Sequence, residues 1–535
     1  MAEKEITIEI KNPGIFILII ILSAILILEL QVTFNNPIVF GDEGFHAKLS
    51  QLIARNIEYP VYDPVHQTKL TKNGLSGPPL LHLSIAGFLF VFGNNEAIIR
   101  FLIPFMVFLT GISVFILGKK LFNKEVGFIA SIITVTTPCF VTYSVLIYKD
   151  ILVTLYLVMF FILFLIGKEK KNKIYFIASG VFGVFAYLTK INGLAAPVFI
   201  FSVFLYELLK TRKFSGNLKN YFTAFLFLVL LIGPYYLRNM YYYKTPVCDV
   251  PYVTRFFDIS GCRIDEFEPK YQFEGKTIEA GTEQTVYKMG IMNYLNFVYG
   301  NIWFVVFGVF AGLFIFFSEK KENNILVLLM LLIYLPVFNY SIGRAEDAAR
   351  FAVAWVPMIA LVAAKYFDGI FKFIKKYQKH LALIVFIIVI FFSYQNLKEK
   401  LDVMAQVKQF SPSFFEACNW VKENLPEDVL LTTVWGHRAA FNCQRDVVGH
   451  NPDVFLSRDI NYTKEVAEKL GVTHIFVQKF SLSDQILSER YNINSVQFFE
   501  DNPEIFKKVF ENGPPLQQCL QQGVCDGNII YEIVY

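Results

Sequence analysis

Long apolar runs separated by short charged turns fill the chain up to residue 396, and beyond it the pattern changes. The runs fall at 14–33, 97–117, 126–143, 151–167, 174–190, 193–209, 220–239, 295–318, 325–341, 349–366 and 381–396. A helix of about 20 apolar residues crosses a bilayer core of roughly 30 Å, so these eleven are expected to span a membrane. The run 78–93 opens on Pro78-Pro79-Leu80, carries His82 and Ser84, and is short for a crossing. A helix lying at the membrane interface fits its length better.

After residue 396 the apolar positions come in shorter patterns. Residues 413–424 read as an amphipathic helix, 428–433 as a strand, 465–470 as a helix and 472–477 as a second strand. Residues 506–510 and 529–534 read as a terminal strand pair. The expected architecture is a polytopic α-helical membrane protein of about 11 transmembrane helices with outward interfacial helices and a C-terminal soluble α/β domain. The expected domains are 1–396, with outward loops 34–96 and 240–294, and an extracytoplasmic 397–535.

Composition agrees with a membrane protein. The 535 residues are 55% hydrophobic and 18% charged, against about 25% charged in soluble proteins. A net charge of +4 without a basic stripe or motif argues against a nucleic-acid partner. The first run lacks a small-residue cleavage site behind it, so it reads as an uncleaved span.

Charge then sets the orientation. With 78–93 not crossing, the loops 118–125, 168–173, 210–219, 319–324 and 367–380 share one side and carry 3, 4, 4, 2 and 4 Lys or Arg. The short loops opposite hold only Lys149, Arg344 and Arg350. Cationic loops stay in the cytoplasm, so the N-terminus is expected inside and residues 34–77, 144–150, 240–294 and 397–535 outside. Cys139 falls in a span, and the other six cysteines all fall in outward segments. In an oxidising compartment neighbours could pair as Cys248–Cys262, Cys418–Cys443 and Cys519–Cys525, or remain buried thiols.

Acidic residues at the outer edge of the membrane are the candidate chemistry. Asp42 and Glu43 follow Gly41 just past the first span, where a solvated face or a helix cap is the plain alternative. Asp150 stands in the next outward loop, behind Tyr148 and Lys149. Two such acids could share a cavity, there to deprotonate a hydroxyl or to hold a divalent cation such as Mg or Mn.

The order of these residues resembles the C-type-fold membrane glycosyltransferases that use polyprenyl-phosphate sugars, related to protein O-mannosyltransferases and aminoarabinose transferases. The likeness covers 10–200 best: Gly41-Asp42-Glu43, Pro78-Pro79-Leu80, Phe92-Gly93 with Arg100, Leu121-Phe122, Thr137-Pro138, Asp150 and Leu188-Thr189-Lys190. The resemblance implies that Asp42 is the general base on an acceptor hydroxyl, which displaces the polyprenyl phosphate with inversion. Asp150 is the second catalytic acid, and Asp42 with Asp150 is the candidate metal pair, although no cofactor is required. Negative charge develops on the leaving phosphate, so cations belong near it. The family often has a basic residue just before the Pro-Pro, where this chain has Ser76-Gly77. His66, Lys69 and Lys72 are the substitutes in the same loop, with Lys149, Lys190, Arg344 and Arg350 from later segments. Glu43 and His46 complete the expected substrate contacts.

The implied partners are a polyprenyl-phosphate-linked sugar, membrane lipids, and a glycan, protein or lipid acceptor outside the cytoplasm. Transfer of a whole oligosaccharide to protein is one alternative. Trp435-Gly436-His437-Arg438 weakly resembles the Trp-rich segment of oligosaccharyltransferases but lacks its double Trp and Asp, which counts against that alternative. A lipid-linked saccharide transporter is another, disfavoured by the missing internal repeat and by charges that cluster in loops.

Overall fold

The computed structural model describes residues 13–60, 78–212, 216–243, 322–342, 350, 352–377, 379–433, 436–449, 460–479, 493–515, 518 and 526–535. These fall into two compact units that interleave along the chain. The described residues of 1–34, 100–250 and 264–404 form the first, and those of 35–99 and 405–535 the second.

The first unit is helical. Six of its helices are long and apolar enough to cross a bilayer: Gly14–Asn35, Glu96–Leu121, Lys149–Lys170, Ile191–Thr211, Leu218–Tyr241 and Val353–Tyr377. Asn123 and Asn172 cap the helices that follow them by accepting from Val126 N at 2.8 Å and Ile174 N at 3.0 Å. Such caps satisfy amide groups that a helix start leaves without a partner. Lysines close the other ends, Lys119 and Lys120 in one helix and Lys168 and Lys170 in another.

The run 126–143, expected as one span, is two helices, Lys124–Thr136 and Pro138–Ser144, bent by 63°. Pro138 has no amide hydrogen to continue the ladder and forces Thr137 into extended backbone, so the helix restarts in a new direction. Counting that pair, up to seven spans lie among the described residues, with Lys173–Thr189 and Asn323–Ile333 as shorter apolar helices. The expected span 295–318 lies outside the described residues.

Phenylalanine supplies the first unit's core. Phe160, Phe161, Phe164, Phe176 and Phe199 are buried, and Phe199 meets Phe161 and Phe164 edge-to-face at 5.0 and 5.2 Å. Between apolar helices in lipid the hydrophobic effect gives little, so close ring packing is a main source of cohesion.

The second unit contains a five-stranded sheet in the order β2-β1-β3-β5-β4. Its strands are β1 (Leu430–Thr433), β2 (Asp446–Gly449), β3 (His474–Gln478), β4 (Phe506–Asn512) and β5 (Asn528–Ile533). β1 pairs in parallel with β2 and β3, and β5 runs antiparallel to β3 and β4. Four strands stand close to where the alternation predicts them. β2 was not foreseen, because Asp446-Val447-Val448-Gly449 is too short to show a period.

The helices Pro412–Asn424 and Glu43–Asn56 pack into one core with the sheet. Phe414, Ala417, Val421, Leu431, Val447, Phe476 and Ile530 are buried together with Phe45, Leu49 and Ile53. Cys418 and Cys443 form a disulfide in that core. Cys248, Cys262, Cys519 and Cys525 lie outside the described residues. The helix Leu80–Phe92 belongs to this unit, and its 13 residues reach only about 20 Å, too short to cross.

Candidate active site

Asp42 occupies the N-cap position of helix Glu43–Asn56, yet its side chain makes no capping hydrogen bond. It faces His437 instead, with Oδ1 3.5 Å from Nδ1, and it keeps 17% of its side-chain surface exposed. The approach is set by backbone packing. A Cβ on Gly44 would come within 2.1 Å of the His437 carbonyl oxygen, so only glycine lets the helix lie this close to Gly436–Asn442. Asn442 adds a hydrogen bond to the Ile38 carbonyl at 3.0 Å.

Glu43 has a different fate. Its Oε1 is 3.1 Å from Lys408 Nζ, and neither side chain is more than 2% exposed. Its Oε2 accepts from the Phe40 amide at 3.2 Å. Glu43 therefore fastens the turn that presents Asp42, whereas the sequence reading expects it to contact substrate. His46 is also sealed: Nδ1 lies 2.8 Å from His82 Nε2, and Tyr59 Oη is 3.3 Å from His82 Nδ1. Both rings are buried, so His46 shapes the support beneath Asp42 and is not exposed to a substrate.

Behind the same helix, Lys48 is buried near Asp446. Burial lowers the Lys48 ammonium below its usual range and the Asp446 charge offsets part of that. Burial likewise raises Asp446, with Lys48 opposing.

The first unit holds the other cluster. Asp150 begins helix Lys149–Lys170 and is almost fully buried. Lys190 donates from Nζ to Asp150 Oδ1, and Arg350 Nε lies 3.4 Å from Oδ2. The Arg350 guanidinium also stacks over the Tyr148 ring at 4.7 Å. Lys149, beside the acid, is buried as well.

Two local features fix the cations. Lys190 ends its helix just before the turn Ile191–Leu194, and a Cβ on Gly193 would meet the Ala186 carbonyl carbon at 2.2 Å. Arg350 precedes the turn Val353–Trp355, where Trp355 is buried. One carboxylate between two cations leaves a net positive charge in a site of low dielectric, which is suited to binding an anion. The expected pairing of Asp150 with a metal does not fit, because both of its oxygens already face cations.

Asp42 and Asp150 lie in different units. Among the described residues no group of three or more His, Cys, Asp or Glu side chains is arranged to hold a metal ion. His66, Lys69, Lys72 and Arg344 lie outside the described residues. Sequence reasoning missed His437 as a neighbour of Asp42 and Lys408 as the partner of Glu43. Both partners are more than 360 positions away in the chain, beyond any local pattern.

Residues 76–236 match the family model described as dolichyl-phosphate-mannose-protein mannosyltransferase. This stretch contains both Asp150 and Lys190. ArnT from Cupriavidus metallidurans, solved bound to undecaprenyl phosphate, is similar with a TM-score of 0.62 at 10% identity, over 97% of this chain and 98% of that one. The oligosaccharyltransferase AglB from Archaeoglobus fulgidus, solved with an inhibitory peptide and a dolichol-phosphate, gives 0.63 at 12% identity, over 97% and 74%. The arabinofuranosyltransferase AftD from Mycobacteria gives 0.58 at 10%, over 96% and 40%. No curated protein matches the chain by sequence. At these identities the structures show a common fold. The family match and that fold together bear out the resemblance to C-type membrane glycosyltransferases and the expectation of glycosyltransferase activity.

Proposed function

We propose that this protein moves a sugar from a polyprenyl-phosphate donor to an acceptor hydroxyl outside the cytoplasm, with Asp42 as the general base. The observation that carries the reading is the cluster of buried Asp150 and Lys190, both within the family-matched stretch, with the half-buried Arg350. A polyprenyl phosphate leaves as an anion, and two fixed cations stabilise charge that grows in the transition state. Asp150 is here a positioning acid that holds Lys190 and Arg350 apart and aimed. Asp42 takes the proton of the acceptor hydroxyl, the oxygen attacks the anomeric carbon, and the bond to the phosphate oxygen breaks with its electron pair going to the phosphate. Attack opposite the leaving group inverts the anomeric configuration.

The acceptor is a protein, a lipid-linked glycan or an envelope lipid. The solved complexes of AglB and ArnT hold a dolichol-phosphate and an undecaprenyl phosphate, which supports a donor of that class. The charge bias of the loops and the Cys418–Cys443 disulfide support a cytoplasmic N-terminus and an extracytoplasmic second unit.

The test is Asp42→Asn, assayed in detergent with a labelled polyprenyl-phosphate sugar. Loss of a general base lowers kcat by about 10²–10⁴-fold. Turnover at the wild-type rate would end the assignment of Asp42.

A further inference from the structure

The second unit carries an open groove of about 630 Å³, inside the roughly 300–1,000 Å³ range of small-molecule sites. Helix Pro412–Asn424 forms one wall. It turns Phe414, Ala417, Cys418 and Val421 into the core, at the spacing of one helical face. Charged residues are expected on the other face. There Phe415 and Trp420 stand half-buried instead, next to Glu416, Asn419 and Glu423.

The rings have an ordered arrangement. Trp420 packs directly against Phe510 in the lining, centroids 5.1 Å apart and planes 31° from parallel. Phe410 completes the lining and is covered on one side by the Arg438 guanidinium at 4.8 Å. The polar rim is held as well: Glu416 accepts from Asn512 Nδ2 at 2.9 Å. None of the described residues that line the groove is a cation.

Flat aromatic faces beside carboxylates and an amide suit a molecule with an apolar C–H face and a rim of hydroxyl donors. A sugar ring has both. Two carboxylates and no lining cation disfavour an anionic ligand. A short chain of neighbours links the groove to the candidate catalytic acid: Arg438 covers Phe410, and His437, next to it in sequence, faces Asp42.

We propose that this groove binds a neutral saccharide, as the part of the acceptor remote from the hydroxyl that reacts. Its role as an acceptor subsite rests on the reading of Asp42 as the base. The saccharide affinity itself does not.

The experiment is saturation-transfer NMR of mannotriose with the full chain in nanodiscs, because maltoside detergents carry competing sugar headgroups. Mannotriose is expected to receive saturation from the wild type and from Asp42→Asn alike. Trp420→Ala weakens binding by about tenfold or more, as expected for loss of a central aromatic contact. Glu423→Lys, an exposed rim change that leaves the core intact, also weakens it. Undiminished mannotriose binding by both groove variants would overturn the proposal. So would displacement of mannotriose from the wild type by trigalacturonic acid or by a proline-rich peptide at lower concentration than unlabelled mannotriose requires. If Asp42→Asn transfers sugar normally while the groove variants still lose mannotriose, the catalytic reading fails and the binding site stands.

Discussion

The Asp42-Glu43 pair shows how adjacent carboxylates acquire opposite roles. Asp42 is partly open beside His437, while Glu43 is closed into an ion pair with Lys408. A buried pair contributes little net stability compared with apolar residues, but removing one partner leaves a stranded charge. Glu43→Gln is therefore expected to destabilise the second unit by about 3–5 kcal/mol. The double change Glu43→Gln with Lys408→Met restores much of that loss. Thermal unfolding of the single and double variants checks it, and equal melting of wild type and Glu43→Gln would show that the pair is not structural. The sequence marks both acids as chemically interesting. The family resemblance assigns the base to Asp42 and not to Glu43, but the partners that set their different surroundings come from the far end of the chain.

At the level of elements, strand β3 gives the second unit a pH dependence. His474 is buried between β1 and β5, and burial holds its imidazole below the usual 6.5, with Glu532 offsetting part of the effect. The unfolded chain therefore takes up this proton first as pH falls, which favours unfolding below about 6.5. A second loss comes at lower pH. Burial alone would raise the Glu511 carboxylate, but hydrogen bonds from Lys479 and Lys508 outweigh it and hold it below 4.5. Its stabilising contribution is present above that value and disappears as the carboxylate protonates. The protection factors of the β3 amides, corrected for the slower intrinsic exchange at lower pH, are expected to fall below about pH 6.5 in the wild type. They should stay level in His474→Gln, and an identical fall in both would remove His474 as the cause.

The elements themselves were legible to different degrees. Caps and lysine-rich ends mark the spanning helices, because a membrane enforces length and apolarity on each one separately. The break at Thr137-Pro138 was present in the sequence as a proline but reads as part of a continuous apolar run. Its 63° bend depends on how the chain restarts after the proline, which composition does not register.

For the whole molecule the helix Leu80–Phe92 decides the topology. At 13 residues it is too short to cross, and the proposed orientation, with the N-terminus and the lysine-rich loops on one side, rests on that. Cysteine labelling at Asn95→Cys, in a chain whose native thiols are blocked, is expected only from the extracytoplasmic side. Reaction from the cytoplasmic side would invert every later span.

By itself the sequence determined the membrane class, the positions of most spans and the residues worth suspecting, Asp42, Asp150, Lys190 and Arg350 among them. Those signals are local: hydropathy, charge bias and short motifs act within a few turns of chain. Only the tertiary structure decided which suspects act together. It closed Glu43 with Lys408, turned Asp42 to His437, and placed Asp150 between Lys190 and Arg350. Such pairings follow from burial, where a charge without a partner is costly, and the partner that satisfies it can come from anywhere in the chain.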